Sequence, residues 1–128
     1  MKRLLLDTHV FIWWLTNNSK LGPITRNILS KGANIVHVSA VTPWEISIKR
    51  SIGKLDFRAD FEIAMEKNNF FPLPISHSHA EYAGDLPRYH SDPFDRMLIV
   101  QSQMEGLTLI SADSIFSQYD IRLIDARM

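Results

Sequence analysis

Asp7, Glu45, Asp95 and Asp113 are far apart in this chain, yet each stands just past an apolar strand-like run or in the first turn of the helical segment that follows. In a parallel α/β sheet the carboxyl ends of the strands open into one crevice, so acids placed in this way converge. A set of hard oxygen donors suits Mg²⁺ or Mn²⁺, and the chemistry it supports is the cutting or transfer of phosphate esters. Without a cation, carboxylates packed within a few ångströms repel one another until some take up protons. The pattern reads as a metal-dependent nuclease.

Each acid also has a local structural reading. Asp7 is a favoured residue for capping the helix that follows it. Thr42-Pro43-Trp44-Glu45 has the form of a capping box with proline at the first helical position, which by itself accounts for Glu45. Asp92-Pro93-Phe94-Asp95 repeats the logic, with Asp92 as the cap and Asp95 in the first turn, where the helix dipole favours an anion. Asp113 reads as a turn acid. The two readings are compatible, because helix N-termini aimed into a crevice help to keep acids ionised.

The elements that must carry these acids alternate along the chain. Leu4-Leu5-Leu6 is an all-apolar run ending at Asp7, as expected of a central strand covered on both faces. Residues 35–38, 107–110 and 121–124 read as further strands. The run 71–75 reads as an extended edge segment because of its two prolines. Helical segments are expected over 9–15, 24–30, 43–52, 61–68, 79–86 and 93–104, with glycine after several of them and a helical turn at 114–118. Strands alternating with helices imply right-handed crossovers and a mostly parallel sheet in a three-layer α/β/α sandwich, one domain over residues 1–128.

Composition sets the outer limits. With 45% hydrophobic and 22% charged residues in 128, this is an ordinary globular composition, able to bury about two-thirds of its unfolded surface. The absence of cysteine excludes disulfides, thiolate zinc sites and cysteine nucleophiles, so a metal must use oxygen or imidazole. Three leucines after Met1-Lys2-Arg3 are too few for a signal peptide and no apolar run has spanning length, so a cytosolic protein without a membrane partner is expected. Formal net charge is zero, so a polyanion would have to be held by local basic groups. Lys49, Arg50, Lys54, Arg88 and Arg96 are the candidates near the motif helices, although Lys49 also stands at pairing distance from Glu45. His9 beside Asp7 is expected to be packed or hydrogen-bonded rather than a ligand, since Mg²⁺ prefers oxygen. His77, His79 and His90 lack zinc spacing. Adjacent Trp13 and Trp14 cannot both face one side, so one of them is a candidate for a partner groove or dimer interface.

Leu5-Leu6-Asp7-Thr8-His9, Trp44-Glu45-Ile46, Gly53-Lys54-Leu55, Asp92-Pro93-Phe94-Asp95-Arg96 and Ser111-Ala112-Asp113, in this order, resemble the PIN-domain ribonucleases, and among them the VapC toxins of toxin-antitoxin modules. The resemblance runs from the first strand to the last, and the five motifs together are far more specific than any one. It implies a five-stranded parallel sheet ordered 3-2-1-4-5 and a Mg²⁺ site, with Mn²⁺ able to substitute. It also implies endoribonuclease activity restrained by an antitoxin protein, and a homodimer. It makes Asp7 and Asp95 the direct ligands, with Glu45 and Asp113 completing the shell and orienting water. Ser111 and Thr8 then support the carboxylates by hydrogen bonds, or are ordinary turn hydroxyls. Asp92 is an auxiliary acid or simply the cap. Lys49, Lys54 and Arg96 remain as RNA contacts.

Two other classes compete. A non-catalytic RNA-binding or scaffold module of this fold would be expected to lose some of the acids, and all are present. A phosphotransfer enzyme of the haloacid-dehalogenase type needs a second aspartate two residues after the first, where His9 stands. Neither a phosphate-binding loop nor a dinucleotide-binding glycine turn occurs.

Overall fold

The computed structural model describes residues 1–128. Strand β1 (Arg3–Leu6) lies at the centre of a five-stranded sheet and leads directly into α1 (Thr8–Leu15). Helix α2 (Pro23–Ser30) returns the chain to β2 (Ile35–Ser39), and α3 (Val41–Ser51) with α4 (Phe61–Lys67) to β3 (Phe71–Leu73). Helices α5 (His77–Ala83) and α6 (Pro93–Glu105) then cross back to β4 (Thr108–Ser111), and a 3₁₀ turn (Ser114–Gln118) leads into β5 (Arg122–Asp125). The strand order is β3-β2-β1-β4-β5, and every neighbouring pair is parallel. The sheet order is the one the family resemblance implies, and the parallel sandwich layout is the one expected from the alternation of strands and helices.

The leucine run explains why β1 is central. Leu4, Leu5 and Leu6 are fully buried, and alternation along the strand sends them to opposite faces. Leu4 and Leu6 join Val10, Phe11, Val36 and Val38 under the amino-terminal helices. Leu5 joins Leu98, Leu109 and Phe116 under α6 and the 3₁₀ turn. Only a strand covered on both faces tolerates three consecutive leucines. β3 is an edge strand, as its Pro72 favours, though it is shorter than expected and ends at Leu73.

Helix boundaries follow local chemistry with two exceptions. Pro93 opens α6 behind the Asp92 cap, and Gly106, left-handed at φ 65°, ends it. Helix α5 is displaced towards the amino terminus from the expected 79–86, because Ser76 caps it and His79 closes a reciprocal capping box. Helix α3 begins at Val41 rather than Pro43, so the expected Thr42–Glu45 capping box does not form. The Ser39 hydroxyl accepts from Val41 N–H at 3.0 Å and starts the helix early, and Thr42 turns instead towards the Thr8 hydroxyl at 3.3 Å. No helix is long and apolar enough to cross a membrane.

Trp13 and Trp14 are both half-buried against the core beneath α1. Trp14 Nε1 donates to Asn68 Oδ1 at 2.9 Å, and Lys20 Nζ sits 5.9 Å from the centre of the Trp13 ring. Near the start of α2, the chain at 126–128 crosses so closely that a β-carbon at Gly22 would lie 2.2 Å from the Met128 carbonyl oxygen and 2.3 Å from that of Arg127. Gly22→Ala is therefore expected to cost about 1–3 kcal/mol, read as a lower urea midpoint at unchanged slope. An unchanged midpoint would show that the 126–128 segment does not hold this position in solution.

Candidate metal centre

The sheet order puts a topological switch point between β1 and β4, where the chain leaves neighbouring strands in opposite directions and a crevice opens. Asp7 stands at the end of β1, and its N–H donates to the Ile110 carbonyl of β4 at 3.1 Å. One carboxylate oxygen caps α1 by accepting from Val10 N–H at 2.8 Å; the other accepts from the Ser111 hydroxyl at 2.5 Å. Ser111 Oγ also accepts from the Asp113 N–H at 3.0 Å, so a single hydroxyl ties the first acid to the last. Asp113 is exposed and caps the 3₁₀ turn through Ile115 N–H at 3.1 Å.

Glu45 enters from α3 and is buried. Its two oxygens are held separately, one by the Thr8 hydroxyl at 2.6 Å and the other by Lys49 Nζ at 2.6 Å. Lys49 is raised above the ordinary lysine range, chiefly by its hydrogen bond to Glu45. Asp95, in the first turn of α6, receives a hydrogen bond from or gives one to His90 Nε2 at 2.7 Å, and its backbone N–H donates to the capping Asp92 at 3.0 Å. The capping and clustering roles thus coexist at Asp7 and Asp113, Asp95 stands in the first turn behind the Asp92 cap, and at Glu45 only the clustering role survives.

Electrostatics describe one crowded site. Burial is the main cause that holds Asp7 above the usual carboxylate range, against opposing hydrogen bonds from Ser111 and Val10 and the charge of His9, with Glu45 adding to the rise. Asp95 is pushed up to about 7, first by burial; the His90 hydrogen bond opposes this, and the charges of Asp92 and Glu45 reinforce it. Buried carboxyl groups that resist ionisation in one crevice are what a divalent cation relieves. The carboxylate oxygens of this crevice fit Mg²⁺ or Mn²⁺.

Three neighbours differ from their sequence reading. His9 is exposed, its ring 6.5 Å from that of Trp13, and is neither packed inside nor hydrogen-bonded. Arg96, expected as a basic group for RNA contact, is buried. Its Nη1 donates to the carbonyls of Pro87 and His90 at 3.1 and 3.0 Å, and its Nη2 to those of Ala83 and Leu86 at 2.8 and 3.0 Å. Those four bonds commit both of its terminal nitrogens to backbone carbonyls. His90, set aside for lack of zinc spacing, lies in the centre, its ring nitrogen within 4.8 Å of ligand oxygens of both Asp95 and Asp113. The signal available for it was its place in His90-Ser91-Asp92-Pro93-Phe94-Asp95, immediately before the capped helix. Lys54 is exposed beyond α3, and Lys49 is half-buried on Glu45.

The model of the PIN domain matches residues 4–122. No curated protein sequence matches the chain. Among solved structures, that of VapBC2 from Rickettsia felis bound to promoter DNA aligns at TM-score 0.65 and 13% identity, over 95% of this chain and 97% of that one. DNA-bound VapBC from Salmonella typhimurium aligns at TM-score 0.65 and 18% identity, over 98% of each. VapBC-1 from nontypeable Haemophilus influenzae aligns at TM-score 0.63 and 16% identity, over 98% of this chain and 99% of that one. At such identities these likenesses speak for the fold. With the family model matched from β1 to the start of β5, the chain belongs to the PIN-domain family.

Proposed function

We propose that this chain is a divalent-metal-dependent endoribonuclease, the toxin of a toxin-antitoxin pair, acting in the cytoplasm as a homodimer with an antitoxin protein as its partner. The observation that carries the nuclease reading is the convergence of Asp7, Glu45, Asp95 and Asp113 on one crevice in which Asp7 and Asp95 resist ionisation. The toxin reading draws on the similar structures, which are VapBC complexes.

In this reading Asp7 and Asp95 hold the metal directly, and Glu45 and Asp113 orient the attacking water. When bound, the ion lowers the pKa of water and offsets charge building on the phosphoryl oxygens. Water oxygen adds to phosphorus, the bond to the leaving ribose oxygen breaks, and the water's proton leaves through a carboxylate while the ribose oxygen takes one from solvent. Ser111 and Thr8 keep Asp7 and Glu45 from swinging out of place, a supporting role that preserves ligand geometry. Lys49 restrains Glu45 until RNA or metal competes for it, and exposed Lys54 is placed to meet a phosphate.

The purified chain should cleave single-stranded RNA in Mg²⁺ or Mn²⁺ and not in chelator, and its expression without an antitoxin should arrest growth. Saturating Mn²⁺, at a hundred times its Kd, should stabilise the fold by about 2.7 kcal/mol, several degrees in Tm. A melting curve indifferent to Mn²⁺ would remove the shared site. Mn²⁺ binding without cleavage of any RNA would favour a non-catalytic RNA-binding or scaffold module.

A further inference from the structure

We propose that His90 is a direct metal ligand, completing with Asp95 and Asp113 a nitrogen-and-oxygen face that selects a first-row transition ion over Mg²⁺. This rests on the carboxylate centre described above and adds to it a ligand type that the acids alone do not supply.

The geometry comes from three separate places in the chain: the segment before α6, the first turn of α6, and the end of β4. One ligand atom from each of His90, Asp95 and Asp113 lies within 4.8 Å of the other two. Around an octahedral ion with bonds of about 2.1 Å, adjacent donors stand about 3 Å apart and opposite donors about 4.2 Å apart, so rotamer adjustments of an ångström or so close the set. The imidazole is positioned by contacts outside the cluster. Its backbone N–H donates to the Tyr119 hydroxyl at 2.9 Å, its carbonyl accepts from Arg96 at 3.0 Å, and its ring meets Phe116 edge-on at 6.2 Å. Much of the entropy of ordering this side chain is thus lost on folding, before any ion arrives.

Coordination exchanges one interaction for another. The neutral ring presents the Nε2 lone pair when its proton resides on Nδ1, and the hydrogen bond between Nε2 and Asp95 Oδ2 gives way to two bonds to one ion. Imidazole is a favourable donor for transition ions, whereas Mg²⁺ takes oxygen and sheds its waters reluctantly. A nitrogen on this face therefore raises affinity for Mn²⁺ more than for Mg²⁺.

Mn²⁺ itself serves as the probe, on the purified full chain without RNA. Pulsed electron paramagnetic resonance of the wild-type complex should show ¹⁴N coupling from a directly bound imidazole. The coupling should persist in His9→Gln and vanish in His90→Asn. Calorimetry should show His90→Asn weakening Mn²⁺ binding about tenfold while Mg²⁺ binding changes by less than about threefold. Mn²⁺ bound without nitrogen coupling in the wild type, which needs no variant to fold, overturns the ligand role and leaves the carboxylate centre standing. An unchanged Mn²⁺ to Mg²⁺ preference in a folded His90→Asn does the same. No Mn²⁺ binding by the wild type removes the carboxylate centre, and this proposal with it.

Discussion

Asp95→Asn is expected to lower metal-dependent RNA cleavage by a factor of about a thousand or more, and in chelator at pH 8 to make the protein more stable than wild type. The two effects have one cause. The Asp95 carboxyl is pushed up to about 7, mainly by burial, whereas in the unfolded chain it titrates near an ordinary aspartate at about 3.9. Between these values the folded state holds a proton that the unfolded state has released, so stability falls as pH rises from about 4 to about 7 and stays low above that. Full conversion of the shift would be about 4 kcal/mol; partial exposure and solvent screening reduce the expected loss to about 2 kcal/mol. Asp7, also raised by burial, adds to the slope in the same direction. An asparagine carries no charge to desolvate, so the variant should recover much of the Asp95 part at pH 8 and show a shallower decline. Urea unfolding in chelator at pH 5 and pH 8, beside cleavage assays, measures both. A variant less stable than wild type at pH 8 would show that Asp95 is not a strained anion, and undiminished cleavage would remove it from the centre.

That strain was foreseeable only in outline. The crevice was legible because its cause is local: an all-apolar leucine run must be a doubly covered strand, and an acid that follows such a strand must lie at its carboxyl end. The same reasoning reached β4, Ser111 and Asp113. What escaped the sequence depends on contacts made across the fold. Thr42 and Glu45 have capping-box spacing, yet Thr42 has a partner on α1 and Ser39 starts the helix two residues earlier, so the local pattern lost to a tertiary one. His90 precedes the helix in a polar stretch with no periodicity, and it is placed by the nearby Arg96 and by Tyr119 and Phe116, which announce no partner so remote in sequence. His9 beside the first acid invited an inward reading, but its position on α1 turns it to solvent.

Arg96 is the sharpest divergence, and its replacement is expected to be the most destabilising change near the centre. An arginine beside a site acid suggests a phosphate contact, and arginine is among the residues least often fully buried. The apolar run Met97-Leu98-Ile99-Val100 that follows marks α6 as a helix buried nearly all round, and this carries Arg96 inside with it. There its guanidinium gathers the carbonyls of Ala83, Leu86, Pro87 and His90, closing the exit of α5 and the segment that delivers His90. The planar fork suits this task, because its two terminal nitrogens reach four acceptors at once and its charge complements carbonyls near a helix end. Arg96→Met keeps much of the volume but leaves those acceptors without a donor. Each buried unsatisfied group costs about 1–3 kcal/mol, and water can reach some of them, so a total loss of about 3 kcal/mol is expected. Arg96→Lys, with one compact ammonium, should lose about half as much. Urea unfolding in chelator gives both values, and Mn²⁺ affinity should weaken alongside because the His90 segment loosens. A phosphate contact would behave oppositely: stability would hold within about 0.5 kcal/mol, and the salt dependence of RNA binding would become shallower. That outcome would return Arg96 to the substrate side of the crevice.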